Sequence, residues 1–99
     1  MQDVFIIGIG MNRFGKHKEE TVRTMAENVT LLAMEDAGVE KQDLQAGFFS
    51  NTFWGMFGNQ HSIRGQVIFR GMGIDRIPVT NVENACAGHP LRFTWLIPV

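Results

Sequence analysis

The run VFIIGIG at residues 4–10 constrains this chain most. It is apolar without alternation and rich in β-branched and aromatic residues. Such a run suits a strand buried on both faces, the condition of strands in a parallel sheet. From Thr21 the period changes. Val22, Met25, Ala26, Val29, Leu32, Ala33 and Met34 share one side at helical spacing, with Thr21 as N-cap and Gly38 as C-terminal stop. AGFFSN at 46–51 reads as a second strand, and Ser62 can cap a short helix over 63–70, which Gly65 weakens by about 1 kcal/mol relative to Ala. Gly71 and Gly73 end that helix, and IPVTNVEN at 77–84 reads as a third strand with Pro78 near its start. The expectation is an α/β fold. It is a β-α-β-α-β parallel half-sheet with strands about 4–10, 46–51 and 77–84 and helices about 22–37 and 63–70.

Composition narrows the function classes. With 99 residues there is room for one domain. Nine Lys+Arg against ten Asp+Glu leave no basic excess for nucleic acid or a membrane surface. The apolar run at 4–10 is far short of the ~20 residues of a membrane-spanning helix, and it lacks the flanks of a signal peptide. One cysteine excludes an intramolecular disulfide and a Cys-rich zinc site, and a single reduced thiol suits the cytoplasm. No bound metal or cofactor is expected.

Cys86 is the sharpest candidate for chemistry. It follows the third strand, and functional groups of open α/β sheets collect at the carboxyl ends of strands. A helix beginning near residue 86 would favour a thiolate, a competent acyl acceptor. An inert buried cysteine is the alternative, and position alone favours it slightly.

The other candidates carry less. GIGMNRFG at 8–15 contains Gly8, Gly10 and Gly15, but Arg13 stands where a dinucleotide fingerprint needs glycine and the helix starts late, so a plain glycine turn is expected. A nucleotide-binding βαβ unit is therefore a poor reading. His17 lies in the charged loop KHKEE and is expected to be solvated. His61 sits in an aromatic loop. His89 is three residues past Cys86, yet Pro90 disfavours helical geometry there. Phe48, Phe49, Phe53, Trp54 and Phe57 could wall a ligand, but more often such residues pack against the protein or a partner subunit.

Four stretches in order, VFIIGIGMNRFGKH at 4–17, AMEDAGV at 33–39, DLQAGFFSN at 43–51 and IRGQVIFRGMGIDRIPVTNVENACA at 63–87, resemble the N-terminal part of thiolases. The likeness is to the acetyl-CoA acetyltransferase and sterol-carrier-type branch, and covers residues 3–87. The resemblance implies a partial thiolase fold, with residues 1–87 as part of a thiolase N-terminal domain. It implies that Cys86 is the nucleophile, which reverses the preference from position. The implied activity is acyl transfer from a coenzyme A thioester to the cysteine, then Claisen condensation or thiolytic cleavage. Coenzyme A thioester is then substrate rather than bound cofactor, and full-length relatives are homo-oligomers.

After Cys86 the pattern departs from the family. Small residues and an apolar helix should follow, but Gly88-His89-Pro90 stands there instead, and the catalytic role of the family's GHP histidine is not carried onto His89. The expectation is an atypical, frame-shifted tail at 88–99, and an incomplete acyltransferase inactive as this chain alone. A non-catalytic interaction module that pairs with a partner chain is the alternative. A half-sheet with so few helices leaves apolar area open, so a marginal, aggregation-prone chain is expected.

Overall fold

The computed structural model describes residues 3–88. Its helices are α1 (Val22–Ala37), α2 (Trp54–Gly58) and α3 (Arg64–Gly71), and its strands are β1 (Gly47–Ser50) and β2 (Val79–Val82). A 3-10 turn at Lys41–Asp43 lies between α1 and β1. The strands pair in parallel, with Gly47 opposite Val79 and Ser50 opposite Val82. The fold is therefore a small α/β unit around a two-stranded parallel sheet, with both observed strands inside the ranges expected for them.

The boundaries of α1 follow from its ends. Thr21 Oγ1 accepts the Thr24 N–H at 3.1 Å, and Thr24 Oγ1 accepts the Thr21 N–H at 2.9 Å. This reciprocal cap satisfies donors that a helix start leaves open. Gly38 then takes φ +69, the left-handed stop that glycine adopts without strain.

The core is small. Trp54, Ile68, Met72 and Ile74 form its buried cluster, with Val22 and Ala26 of α1 and Phe49 of β1 packed against it. Trp54 meets Phe49 edge to face, with ring centroids 6.1 Å apart. The aromatic segment therefore divides between core and surface. Phe49 and Trp54 turn inward, while Phe53 and Phe57 are exposed.

Residues 4–10 are the main departure. They form no strand, and Val4, Phe5, Ile6, Ile7 and Ile9 are between 53% and 77% exposed. A strand buried on both faces needs ladder partners and two covering layers. Among the described residues β1 and β2 pair only with each other. The segment instead crosses α1. A Cβ at Gly8 would lie 2.8 Å from Ala37 N, and one at Gly10 would lie 2.8 Å from Ala33 N. The Ile9 N–H donates to Asp36 Oδ2 at 3.0 Å, and Asn12 Nδ2 donates to the Met25 carbonyl at 3.1 Å. Gly8 and Gly10 thus serve close approach to a helix, not the plain turn expected of them.

The start of α3 also differs from expectation. Ser62 does not cap it. The N-cap is Ile63, at φ +45 and ψ +38, with no side-chain cap of its own. A left-handed conformation costs an L-residue about 1–2 kcal/mol. Replacing Ile63 with glycine removes that strain but adds about 0.5–1 kcal/mol of unfolded-chain freedom. The expected net is a gain of about 0.5 kcal/mol or slightly more, read as a rise in the midpoint of urea unfolding with unchanged slope. A lower midpoint would show that the Ile63 side chain contributes more than its 58% exposure indicates.

Candidate functional site

Both strands run toward the same edge of the sheet, and the chemistry-bearing residues gather there. Ser50, Asn51 and Thr52 leave β1, while Glu83, Asn84, Ala85 and Cys86 leave β2. The Asn51 N–H donates to the Val82 carbonyl at 3.3 Å, which carries the strand pairing up to this edge. Beyond it the chain turns. The Ala87 N–H donates to the Asn84 carbonyl at 2.9 Å, and Ala85 between them sits at φ +46. Glu83 Oε2 accepts the Ala85 N–H at 2.6 Å.

Cys86 lies on this turn as a free, exposed thiol. The inert alternative required a buried cysteine, and the side chain is not buried. Among the described residues no group donates a hydrogen bond to its sulfur or accepts one from it. The chain returns to β1 at once, because a Cβ at Gly88 would run into the Ser50 side chain. Cys86 itself is not helical; the first helical residue is Gly88, two positions on, and the tail at 89–99 with His89 lies outside the described residues.

A pocket of about 150 Å³ adjoins the edge, lined by Phe49, Asn51, His61, Arg64, Asn81 and Glu83 among others. Arg64 organises one wall. Its Nε donates to the Gln60 carbonyl at 2.8 Å and its Nη1 to the Asn51 carbonyl at 3.0 Å. Asn51 Oδ1 accepts the Trp54 N–H at 2.7 Å, which starts α2 where sequence reading expected only a loop. His61 is exposed, with Nε2 3.1 Å from Asn59 Oδ1. His17 is distant in role. Its side chain keeps partial exposure in the charged loop, with Nε2 2.6 Å from the Arg13 carbonyl and Nδ1 3.5 Å from Glu20. The structure brings neither histidine to Cys86 by a hydrogen bond.

Asn81 is a residue that sequence reading missed. It stands on β2 and caps α3 from outside the helix, its Oδ1 accepting the Gly65 N–H at 2.6 Å and its Nδ2 donating to Gln66 Oε1 at 2.7 Å. A cap that arrives from 16 positions away leaves no local signature. Replacing Asn81 with alanine should cost about 1 kcal/mol, as loss of a cap does, and Asn81→Asp should recover part of it by keeping the acceptor. Thermal unfolding of the two variants checks this; equal melting temperatures for wild type and Asn81→Ala would contradict the capping role.

Among the described residues no three His, Cys, Asp or Glu side chains are placed to hold a metal ion, and no helix is long and apolar enough to cross a membrane.

Comparison with known proteins places the chain in context. No family model matches it. It is 40% identical over 87 residues to an acetyl-CoA acetyltransferase of Methanothermobacter thermautotrophicus, covering 88% of this chain and 22% of that protein. It is 35% identical over 91 residues to an acetyl-CoA acetyltransferase of Methanocaldococcus jannaschii, covering 92% of this chain and 23% of the relative. Sterol carrier protein 2 of Gallus gallus is 29% identical over 86 residues, covering 85% of this chain and 15% of that protein. The chain thus spans less than a quarter of the length of these curated relatives. A match of 91 residues in a chain of 99 includes Cys86 wherever it starts.

Proposed function

We propose, from the premise that this chain is a segment of thiolase-family sequence, that Cys86 is the acyl acceptor of a thiolase-type acyltransferase. The observation that carries the proposal is a free, exposed cysteine at the carboxyl edge of a parallel strand pair. A thiol there can reach a large substrate without rearrangement of the core.

The first half-reaction is thioester exchange. The Cys86 thiolate attacks the carbonyl carbon of an acyl-CoA, a tetrahedral oxyanion forms, and the carbon–sulfur bond to coenzyme A breaks. Coenzyme A leaves as a thiolate and takes up the proton that Cys86 gave up. The acyl group remains as a thioester on Sγ. The second half-reaction needs a general base to form the carbanion of a second acyl-CoA, or free coenzyme A to run cleavage, and donors to hold the oxyanion. The described residues bring no base to Cys86 by a hydrogen bond. We therefore assign to this chain the acceptor half and no complete turnover. A homo-oligomer in which the remaining groups are assembled, the cytoplasm as compartment, and acyl-CoA lipid metabolism as setting belong to the same proposal.

Isotope exchange tests it. The chain should move label from free coenzyme A into acetyl-CoA, because the acceptor half alone supports that exchange. It should form no acetoacetyl-CoA. Absence of exchange above a free-thiol control would remove the acceptor assignment.

The exposed apolar side chains from Val4 to Ile9 favour a second reading, a non-catalytic module that pairs with a partner chain. That reading expects a defined complex on size exclusion and no response to acyl-CoA.

A further inference from the structure

We propose that Glu83 is a positioning residue for Cys86, its carboxylate holding the turn on which the thiol is presented; the inference rests on the reading of Cys86 as acyl acceptor. Ala85, the residue before Cys86, occupies the left-handed region at φ +46 without being glycine. Such a conformation persists only where its surroundings over-determine it. The described group that holds the Ala85 N–H is the Glu83 carboxylate, whose Oε2 accepts it at 2.6 Å. The same Oε2 lies 3.5 Å from Thr52 Oγ1, on the exit of the neighbouring strand. The turn is thus held in its middle by Glu83. On the far side of Cys86, Gly88 is pressed against Ser50 of β1. Cys86 is the exposed point of a loop fixed to the strand pair on both sides.

The competing account is that Glu83 is only a nearby negative charge. The two accounts differ in pattern. If the charge alone mattered, Glu83→Ala and Glu83→Gln, which both remove it, should change the acetylation rate alike. Positioning demands a slower rate from alanine and little change from glutamine, whose amide oxygen still accepts the Ala85 N–H.

The test uses the full 99-residue chain, with acetyl-CoA as the probe. Acetylation of Cys86 is timed by intact mass over a range of acetyl-CoA concentrations for wild type, Glu83→Gln and Glu83→Ala, with circular dichroism confirming that each is folded. Glu83→Ala should acetylate about tenfold more slowly at saturation or worse, as misplaced reacting groups do, with the half-saturating concentration unchanged. Glu83→Gln should stay within about threefold of wild type, since the positioning hydrogen bond survives. A Glu83→Ala rate equal to or above wild type overturns the proposal, and so does a Glu83→Gln rate as low as that of alanine. If wild type takes up no acetyl group, the acceptor reading fails separately. The Ala85 amide resonance then decides the turn: a shift displaced in Glu83→Ala and retained in Glu83→Gln supports it, and an unmoved shift in both overturns it.

Discussion

Cys86→Ala should abolish label exchange between coenzyme A and acetyl-CoA, with a loss of at least about a thousandfold relative to wild type, the scale on which removal of a nucleophile acts. Cys86→Ser should be nearly as inactive, because a hydroxyl is not ionised in the range where a thiol begins to be. Neither substitution should disturb the fold. Cys86 is exposed on a turn, and substitutions away from the core change stability by about 0.5 kcal/mol or less. The prediction is therefore a separation: unchanged far-ultraviolet dichroism and melting, with exchange gone. Residual exchange in Cys86→Ala at the wild-type rate would sink the acceptor assignment outright.

The second large effect concerns Gly65, where packing outweighs propensity. A glycine inside a helix costs about 1 kcal/mol relative to alanine, so Gly65→Ala should stabilise α3 on that ground alone. The surroundings act in the opposite direction. Gly65 is buried where α3 crosses the sheet, and a Cβ there would lie 2.7 Å from Val79 Cγ1, 2.8 Å from Asn81 Oδ1 and 2.9 Å from Phe49 Cβ. Overpacking costs about 1–3 kcal/mol, and displacing Asn81 sacrifices the external cap for about 1 kcal/mol more. The net expectation is a loss of about 1–3 kcal/mol, or a melting temperature lower by about 5–15 °C for a chain of this size. Gly71→Ala in the same helix is the internal control. It is exposed, and its nearest obstacle is the flexible tip of Arg23 at 2.6 Å. It should be neutral or gain up to about 1 kcal/mol. If both variants are stabilised, close packing of α3 on the sheet does not govern this fold.

Gly65 also illustrates what was legible. Sequence alone identifies it as a weak point in a helix, because propensity is local. That it is the contact face requires knowing which strand lies beneath. The same division recurs along the chain. The ends of α1 are written in Thr21 and Gly38, whose effects act within one turn, and the observed helix spans the expected 22–37. The two paired strands are legible because Phe48, Phe49, Val79 and Val82 occupy short apolar runs bounded by turn residues. The run at 4–10 reads equally well as a strand and is not one here. Burial on both faces depends on neighbours rather than on composition, and the described residues supply α1 alone beside it. Helix α2 is invisible in its own glycine-broken sequence. It exists because Asn51 accepts the Trp54 N–H and because Trp54 is buried in the core.

For the site, Cys86 stood out in the sequence by its place after a strand, and the resemblance supplied the role proposed for it. Glu83 and Asn81 did not. Both act through hydrogen bonds to backbone N–H groups, at Ala85 and Gly65, and neither forms a spacing that marks it in the sequence. The expectation for the glycine pair fails for the same reason: Gly8 and Gly10 meet the α1 backbone only after folding.

The most direct measurement is the location of acetyl groups after incubating the wild-type chain with acetyl-CoA. The chain is digested at mildly acidic pH, where thioesters survive, and its peptides are mapped by mass spectrometry. The account predicts one hydroxylamine-labile acetyl group, on the peptide containing Cys86. Acetylation confined to lysines, stable to hydroxylamine, with Cys86 unmodified, would contradict it.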